Sequence, residues 1–301
     1  MKRKVSVVKP FTLEWTVENQ ESNKVLRDYL ADKKISKSAL ADIKFKGGYI
    51  FVNQQEVTVR YILKTGDQVT VIFPKEEGSE QLKGERIPLS IVYEDEYVMV
   101  VNKPAGMSTI PSREHPTGSL ANAIIGHYEQ IGHSATVHIV TRLDRDTSGL
   151  VLIAKHRHIH HLLSLSKSIK TVERKYKAIV TGVITPLAGT VEEPIGRMDT
   201  SIIKREVRED GQYACTEYKT LQVLERYSLV ELKLQTGRTH QIRVHMAHLG
   251  HPLLGDDLYG GSRELIKRQA LHCYSLKFLH PITGKELSFE NRLPKDMMQL
   301  I

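Results

Sequence analysis

Residues 137–155, VHIVTRLDRDTSGLVLIAK, restrict the fold more than any other part of the sequence, because two apolar runs flank a short polar turn. The turn holds two carboxylates, Asp144 and Asp146, and two guanidinium groups, Arg142 and Arg145. Turns commonly carry one or two polar residues for backbone reasons. Four charges between two segments that read as buried predict a functional site.

The flanking runs place Asp144 where a strand becomes a turn. VHIV and LVLIAK predict strands, and Ser148 and Gly149 are expected to supply the turn between them. Asp144 would then be held rigidly and still be exposed to a ligand. Asp146 and Thr147 are expected to cap the turn.

Length and composition indicate a globular protein of more than one domain. The chain has 301 residues, of which 40% are hydrophobic and 26% charged, and this length favours two domains. Its two cysteines, Cys215 and Cys273, match neither a disulfide framework nor a zinc spacing, which predicts a reducing, cytoplasmic location. No run approaches the roughly 18 apolar residues of a membrane span. A monomer is the default expectation.

Residues 22–73 predict a compact unit of two helices followed by short strands. Apolar residues at helical spacing indicate the first helix (Val25, Leu26, Tyr29 and Leu30). Ser36 is expected to cap the second helix, and Gly47 with Gly48 to end it. The predicted strands are YIFVN, VTVRYIL and QVTVIF, with a Thr-Gly-Asp turn before the last.

Basic residues are concentrated near the N-terminus. The net charge is +8, and residues 1–75 carry 14 Lys and Arg against 8 Asp and Glu, a net charge of +6. The other 226 residues therefore carry only +2. This asymmetry predicts a basic module that binds a polyanion, with a solvated basic surface as the alternative. The predicted helical pair carries Lys33, Lys34, Lys37, Lys44 and Lys46.

The segment after this module has the composition of a linker. Residues 74–88, PKEEGSEQLKGERIP, are charged, contain Gly and have almost no large apolar side chains. We therefore predict domains at residues 1–75 and 89–301, joined by a linker at residues 76–88. The larger domain alternates β-rich segments with turns and a few helices, which indicates an α/β or α+β fold with strands in the majority.

The N-terminal unit resembles the S4 RNA-binding domain. The resemblance is carried by LRDYLADKKISKSALADIKFKGGYIFVNQQEV and by LKTGDQV. It implies a small α/β domain whose two helices and β-turn present the five lysines to structured RNA.

RLDRDTSGL, at residues 142–150, resembles the central motif of the large-ribosomal-subunit type of pseudouridine synthases. In that family the nucleophilic aspartate follows Arg-Leu, which implies this role for Asp144. Members usually have His where this chain has Thr141, whereas Arg142 and Leu143 are intact. The resemblance implies an α+β catalytic domain, with a mixed, largely antiparallel sheet, flanking helices and a central cleft.

A second stretch, VERKYKAIVTG, predicts a strand with Tyr176, Ala178 and Val180 on one face. It is similar to the family's Tyr-x-Ala-x-x-x-Gly pattern, in which the tyrosine enters the active site. The resemblance implies this position for Tyr176. From the strand alone, a core tyrosine is the alternative.

Residues 230–260, VELKLQTGRTHQIRVHMAHLGHPLLGDDLYG, resemble the family's C-terminal motif almost position for position. The pattern predicts a strand, a turn and a helix that Gly250 and Pro252 end. The family's active-site arginine falls at Arg243.

Three further residues are expected to contact RNA. Arg238 and Thr239 stand near the predicted helix N-terminus, where backbone N–H groups and the helix dipole favour a phosphate. A plain surface charge is the alternative for Arg238. Arg142, beside the implied nucleophile, is the third expected RNA contact.

The reaction implied by the resemblance needs neither a metal nor a diffusible cofactor. Conversion of uridine to pseudouridine breaks the C1′–N1 bond, rotates the uracil and rejoins it through C5, without a redox step. The sequence contains no Walker or Rossmann glycine loop. We expect the base to be flipped out and Arg243 to hold Asp144 ionised. Tyr176 would stack on the uracil or help to move the C5 proton. Attack at C1′ and a glycal route both need the same carboxylate and stay open.

Two other functions are considered. One is a non-catalytic RNA-binding protein of the same fold. The other is an aspartyl phosphatase, with Asp144 and Asp146 as its motif and Asp256 with Asp257 as a metal-binding pair. Ribosomal or transfer RNA is the expected substrate class, but the residues do not specify the uridine.

The histidine-rich run HRHIHH, residues 156–161, raises the question of a metal site. Helical periodicity would spread these side chains over different faces. The run therefore predicts a polar, partly cationic helix surface near RNA.

Overall fold

The computed structural model describes residues 10–78, 82–133, 135–165 and 172–301, and these form two main sheets with separate hydrophobic cores. Residues 1–9 of the predicted basic module and residues 79–81 of the predicted linker lie outside the described residues. None of the helices in the described ranges is long and apolar enough to cross a membrane.

The N-terminal unit combines two helices with a four-stranded antiparallel sheet. Its elements are β1 (Thr12–Thr16), α1 (Leu26–Asp32), α2 (Lys37–Phe45), β2 (Tyr49–Val52), β3 (Gln55–Glu56) and β4 (Gln68–Ile72). The strand order is β1-β4-β2-β3. The apolar stripe of α1 is fully buried against this sheet, together with Ile43 of α2.

Local signals at α2 act as predicted. Ser36 caps the helix, because its Oγ accepts a hydrogen bond from the backbone N–H of Ala39 at 3.1 Å. Gly47 follows the helix with a φ of +87°, a conformation that other residues adopt only with strain.

The predicted strand VTVRYIL, residues 57–63, is wrong. Its backbone serves the start of α1 instead: the carbonyls of Val59 and Tyr61 accept hydrogen bonds from Arg27 N and Leu26 N at 2.9 and 2.8 Å. The first N–H groups of a helix lack partners within the helix, and this segment supplies them. The alternation of apolar residues at 57–63 therefore belongs to a loop that caps α1 and not to a paired β-strand.

The larger unit is built on a ten-stranded sheet. Its elements are β5 (Ile91–Glu94), β6 (Val98–Lys103), α3 (Leu120–Ile131), β7 (His138–Ile139), β8 (Ser148–Ala154), α4 (Arg157–Leu165), β9 (Val172–Thr181), β10 (Ala188–Val191), β11 (Ile195–Arg197), β12 (Arg205–Val207), β13 (Thr216–Val223), β14 (Tyr227–Leu234), α5 (Gln241–His248), β15 (Leu271–Leu279), β16 (Glu286–Glu290) and α6 (Lys295–Met298). The order is β10-β13-β14-β9-β15-β8-β6-β5, with β16 on β15 and β7 on β8, while β11 and β12 form a separate hairpin. Only the β15–β8 pairing is parallel among these described strands. This mixed, largely antiparallel architecture confirms the predicted α+β class.

Ser148 and Gly149 do not form the turn, as the sequence had suggested, but begin β8. Gly149 has a φ of +122°, and a Cβ there would lie 2.2 Å from the backbone oxygen of Cys273. Glycine is required because β15 approaches β8 at this point. The turn itself consists of the preceding residues and is closed by a 3.1 Å hydrogen bond from the backbone N–H of Thr147 to the backbone carbonyl oxygen of Asp144.

The sheet register brings the site residues together. Gly149 pairs with Lys103 on β6 and with Cys273 on β15, and Cys273 pairs in turn with Tyr176 on β9. One row across four strands therefore runs from Lys103 to Tyr176. The turn that carries Asp144 leads directly into this row.

The N-terminal unit packs on the larger one through α4. The ring of His156 stacks on Phe11 with centroids 3.9 Å apart, and Arg157 pairs with Asp42 at 2.7 Å. His156 and His158 are both buried. The prediction of a polar histidine surface near RNA is therefore wrong for these two side chains, because periodicity within one helix does not reveal packing between units.

Candidate active site

Asp144 lies on a rigid turn at the mouth of a cleft. The preceding residue, Leu143, is buried, and its backbone carbonyl and N–H both bond the hydroxyl of Thr109, at 2.6 and 3.2 Å. The Asp144 side chain is 28% exposed. Its carboxylate is thus fixed by its backbone and still accessible.

Arg243, on α5, joins Asp144 to a second carboxylate. Its Nη1 donates to Asp144 Oδ2 at 3.0 Å, while Nε and Nη2 donate to Asp256 at 2.7 and 2.8 Å. Burial works against the charged form, but the hydrogen bonds and charges of Asp256 and Asp144 together raise the pKa of Arg243 above its usual value. The guanidinium also lies over the ring of Tyr259, 4.9 Å from its centroid.

Tyr176 is buried on β9 and lines the cleft beside Asp144. Burial is the main cause that raises the pKa of its phenol above the usual value. The phenol is therefore neutral throughout the physiological pH range, and its ring is the flat surface of the cleft.

The cleft is small and positively charged. It encloses about 70 Å³, and four arginines line it: Arg142, Arg174, Arg238 and Arg243. Leu143, Leu234 and Leu271 supply apolar walls. Such a cleft attracts an anionic polymer and offers an apolar surface to an uncharged ring.

The three expected RNA contacts lie near this cleft. Arg142 is exposed at its rim, and Thr239 is exposed beside the start of α5. Arg238 is exposed but already bonded: its Nε donates to the Tyr213 carbonyl at 2.9 Å and its Nη1 to Gln212 Oε1 at 3.0 Å. Its orientation along the cleft is therefore preset.

The five lysines of the N-terminal unit lie away from Asp144 and differ from one another. Lys33 is paired with Glu21 at 2.9 Å, and Lys46 with Asp42 at 2.9 Å. Lys34, together with Lys33, lines a cavity between the two units. Lys37 and Lys44 are exposed and have no ion pair within the described ranges.

Thr141, at the position where the resembled family has His, is buried and has a structural contact. Its Oγ1 accepts a hydrogen bond from Leu152 N at 2.9 Å. The hydroxyl thus ties the approach to the Asp144 turn to β8.

Lys103 was not singled out in the sequence. It is fully buried, and its Nζ donates to the carbonyls of Pro104, Met107 and Arg145 at 3.0, 2.7 and 3.1 Å. Burial lowers the pKa of Lys103 to about 7, against the opposing charge of Asp144. The only sequence signal for a role of Lys103 is its place in a Lys-Pro pair at the end of an apolar strand.

Asp256, Tyr259 and His240 were also missed as site residues. All three lie inside the stretch quoted for Arg243, but their spacing does not show that they converge. In the fold, His240 Nε2 lies 3.8 Å from Asp144 Oδ2, and its Nδ1 lies 2.9 Å from the Tyr259 hydroxyl. They surround the contact between Arg243 and Asp144.

The phosphatase alternative is contradicted. Asp256 is 1% exposed and binds Arg243, whereas Asp257 is exposed and pairs with Arg263 at 3.1 Å. Within the described part of the chain, no group of three or more His, Cys, Asp or Glu side chains is placed to hold a metal ion. The two aspartates therefore do not form a metal-binding pair.

Comparison with known proteins agrees with this geometry. Residues 97–248 match the RNA pseudouridylate synthase family. The chain is 52% identical over 276 residues to the RNA pseudouridine synthase YjbO of Bacillus subtilis, covering 92% of this chain and 98% of that protein. It is 39% identical to ribosomal large subunit pseudouridine synthase D of Pseudomonas aeruginosa, covering 85% and 84% of the two chains.

A solved structure shares the fold. The structure of human RNA pseudouridylate synthase domain containing 4 aligns with a TM-score of 0.57 and 26% identity, over 69% of this chain and 90% of the human one. The resemblance of the sequence to the large-ribosomal-subunit type is thereby confirmed. The chain belongs to the RNA pseudouridylate synthase family and is an isomerase that converts uridine to pseudouridine in RNA.

Proposed function

We propose that Asp144 is the catalytic carboxylate of this isomerase and that Arg243 and Tyr176 complete its active site. The observation that carries the proposal is the contact at 3.0 Å between Asp144 and Arg243, in a cleft lined by arginines and by the Tyr176 ring. A carboxylate so placed either attacks C1′ or assists departure of the uracil, and both routes break the same bond.

Arg243 is proposed to hold Asp144 ionised and oriented. Asp256 takes two of the N–H groups of Arg243 and so fixes the guanidinium plane. The Nη1 of Arg243 is then aimed at Asp144 before substrate arrives. A preset charge of this kind stabilises an ionised group without reorganisation during the reaction.

Tyr176 is proposed to receive the flipped base. A uridine inside a stack is out of reach of Asp144, so the base must leave the stack. The buried ring of Tyr176 and the leucine walls offer a flat apolar surface for it. Because burial keeps the phenol neutral, its hydroxyl would assist the movement of the C5 proton only as a hydrogen-bond partner and would not remove that proton as a base.

The substrate is proposed to be ribosomal or transfer RNA, modified in the cytoplasm by a monomer. The relatives named ribosomal large subunit pseudouridine synthase D favour ribosomal RNA. The test is to map pseudouridine in total RNA from cells with the gene, without it, and with an Asp144→Asn copy. A site that disappears with the gene and returns only with the unmodified copy would identify the target. Unchanged ribosomal and transfer RNA would contradict the proposed substrate class.

Residues 1–75 are proposed to be an S4-like RNA-binding domain, with a linker at 76–88 before the catalytic domain at 89–301. Support comes from the basic excess and from the exposure of Lys37 and Lys44 on one helix. Deletion is a poor test, since it would uncover the buried ring of His156 on which Phe11 stacks. Substitutions within the whole chain are sharper.

Replacing Lys37 and Lys44 together with Gln is expected to weaken RNA binding and flatten its salt dependence. Each lost phosphate contact should reduce the slope of log affinity against log salt by roughly 0.7 to 0.9. The rate at saturating RNA should stay unchanged, because neither residue lines the cleft. Lys33→Gln is the matched control: its cation is already paired with Glu21, so the slope should change less. If the slope of log affinity against log salt is the same in all variants, these lysines do not contact RNA and form only a solvated basic surface.

Activity is expected to survive removal of divalent metal ions. The isomerisation has no redox step, and its charge requirements are met by Asp144 and Arg243. The measurement is turnover in excess EDTA on a short RNA whose fold does not depend on magnesium. Loss of turnover on that RNA, restored by added magnesium, would contradict this expectation.

A further inference from the structure

His240 stands between the implied nucleophile and a tyrosine that no part of the proposed reaction uses. Its Nε2 lies 3.8 Å from Asp144 Oδ2, and its Nδ1 lies 2.9 Å from the Tyr259 hydroxyl. The His240 side chain is largely buried, with 12% exposed. Arg243 also donates to Oδ2. Within the part of the chain that the structure describes, no group bonds Asp144 Oδ1, which is left for the substrate.

The backbone at this position admits a histidine but does not require one. His240 is the N-cap residue of α5 and lies in the left-handed region, with φ 58° and ψ 16°, which glycine adopts most readily and asparagine, aspartate and histidine adopt more often than other residues. Its side chain makes no capping hydrogen bond. The loop before the helix is held instead by Gln241, whose Oε1 accepts from Thr236 Oγ1 and from Arg238 N. The imidazole is therefore placed for its contacts, and the backbone bears a conformational cost for it.

The hydrogen bonds assign the tautomer. The Tyr259 oxygen accepts from the backbone N–H of Arg205 at 3.0 Å, so its own hydrogen is available to donate. The acceptor within reach is His240 Nδ1. A neutral imidazole that accepts at Nδ1 carries its proton on Nε2, the nitrogen that faces Asp144. Burial lowers the pKa of His240 below its ordinary value despite the nearby charge of Asp144, which favours this neutral form.

We propose that His240 is a positioning residue, which donates from Nε2 to Asp144 Oδ2 when RNA binds and so presents Oδ1 to C1′, and that Tyr259 fixes the tautomer that makes this possible. The inference rests on the proposed role of Asp144. The 3.8 Å separation is longer than a hydrogen bond, and contacts of this kind commonly shorten only when substrate is bound. A neutral donor supplements Arg243 without adding a second buried cation.

The first test uses two amides of different reach. His240→Asn suits the left-handed backbone but brings its amide only to the place of Nδ1. It should lower kcat roughly tenfold to a hundredfold, with KM changed less than about threefold. His240→Gln places an N–H donor near the position of Nε2 and should keep most of the kcat of the unmodified protein. Wild-type kcat in His240→Asn, or equal losses in both variants, would overturn the proposal.

The second test is a double-mutant cycle with Tyr259→Phe, which keeps the ring under Arg243 and removes only the hydroxyl. With His240 present, Tyr259→Phe should lower kcat by a few-fold to roughly tenfold, because the hydrogen bond that selects the Nε2–H tautomer and orients the ring is lost. With His240→Gln it should have almost no further effect, since an amide has no tautomers. If Tyr259 has only a structural role, Tyr259→Phe will lower kcat by the same factor with His240 and with His240→Gln, and the proposal fails.

Asp144→Asn, assayed beside these variants on the same RNA, tests the role of Asp144 separately from the role of His240 and Tyr259. If Asp144→Asn is inactive while the cycle is additive, only the role of His240 and Tyr259 is rejected. If Asp144→Asn turns over normally, the proposed site itself is rejected. Thermal melting of every variant shows whether a change in kcat accompanies unfolding.

Discussion

Asp144→Asn is expected to lower kcat by at least roughly 10³-fold while RNA affinity changes by no more than a few-fold. The amide keeps the shape of the side chain but removes the charge that breaks the C1′–N1 bond. Binding depends instead on the arginines of the cleft and the basic N-terminal unit, which the substitution leaves in place. The measurements are single-turnover formation of pseudouridine and an equilibrium binding isotherm on one RNA.

Asp146→Asn is the matched control for this variant. It makes the same chemical change two residues away, in the same turn, and Asp146 does not line the cleft. We expect its kcat to stay within a few-fold of the unmodified protein. Appreciable turnover by Asp144→Asn, or an equal loss in both variants, would show that the turn matters as a structure and that Asp144 is not the catalytic carboxylate.

The sequence predicted those parts of the site that depend on the pattern of residues within one segment. Alternating apolar residues predicted β9, and two apolar runs predicted the strands on either side of the Asp144 turn, β7 and β8. Helical spacing with a glycine end predicted α5. The positions of Asp144, Tyr176 and Arg243 came from motifs on those elements. Their convergence is a property of the register, in which β8, β15 and β9 lie side by side.

The parts that were missed depend on contacts between distant segments. Lys103 bonds the Arg145 carbonyl 42 positions away, and His240 meets Asp144 across the cleft. Periodicity within a segment carries no information about such partners. Asp256 was read beside Asp257 as half of a metal-binding pair, because charge pattern alone does not distinguish a carboxylate that binds metal from one that binds arginine.

Residues 57–63 of the N-terminal unit also show that a local sequence pattern does not reveal contacts with distant segments. Their apolar alternation is typical of a strand, but the N–H groups at the start of α1 needed acceptors, and this segment supplies them. His156 and His158 likewise follow a helical pattern whose buried side is decided by Phe11 and Phe73 of the other unit. Local propensity was overridden by tertiary hydrogen bonding in one case and by packing in the other.

Arg243→Lys is expected to lower kcat roughly a hundredfold or more, although the charge is conserved. An ammonium is a point charge on a flexible stem, so it cannot hold both oxygens of Asp256 and still reach Asp144. The planar guanidinium does all three, at 2.7, 2.8 and 3.0 Å. Because the pair with Asp256 is buried, the variant should also lose several kcal/mol of unfolding free energy. The assay temperature must therefore lie well below its melting temperature.

Two further variants separate orientation from stability. Arg208→Lys makes the same exchange at another arginine that binds an aspartate through two nitrogens, Asp210, and it should leave kcat unchanged. Asp256→Asn weakens the anchor of Arg243 but leaves a guanidinium within reach of Asp144, so it should lose stability with a smaller loss of kcat than Arg243→Lys. If Arg243 only stabilised the fold, kcat per folded molecule would be the same in both variants. A larger loss of kcat in Arg243→Lys at equal folded fraction is the result that assigns the arginine to Asp144, since only that variant displaces the donor from the carboxylate.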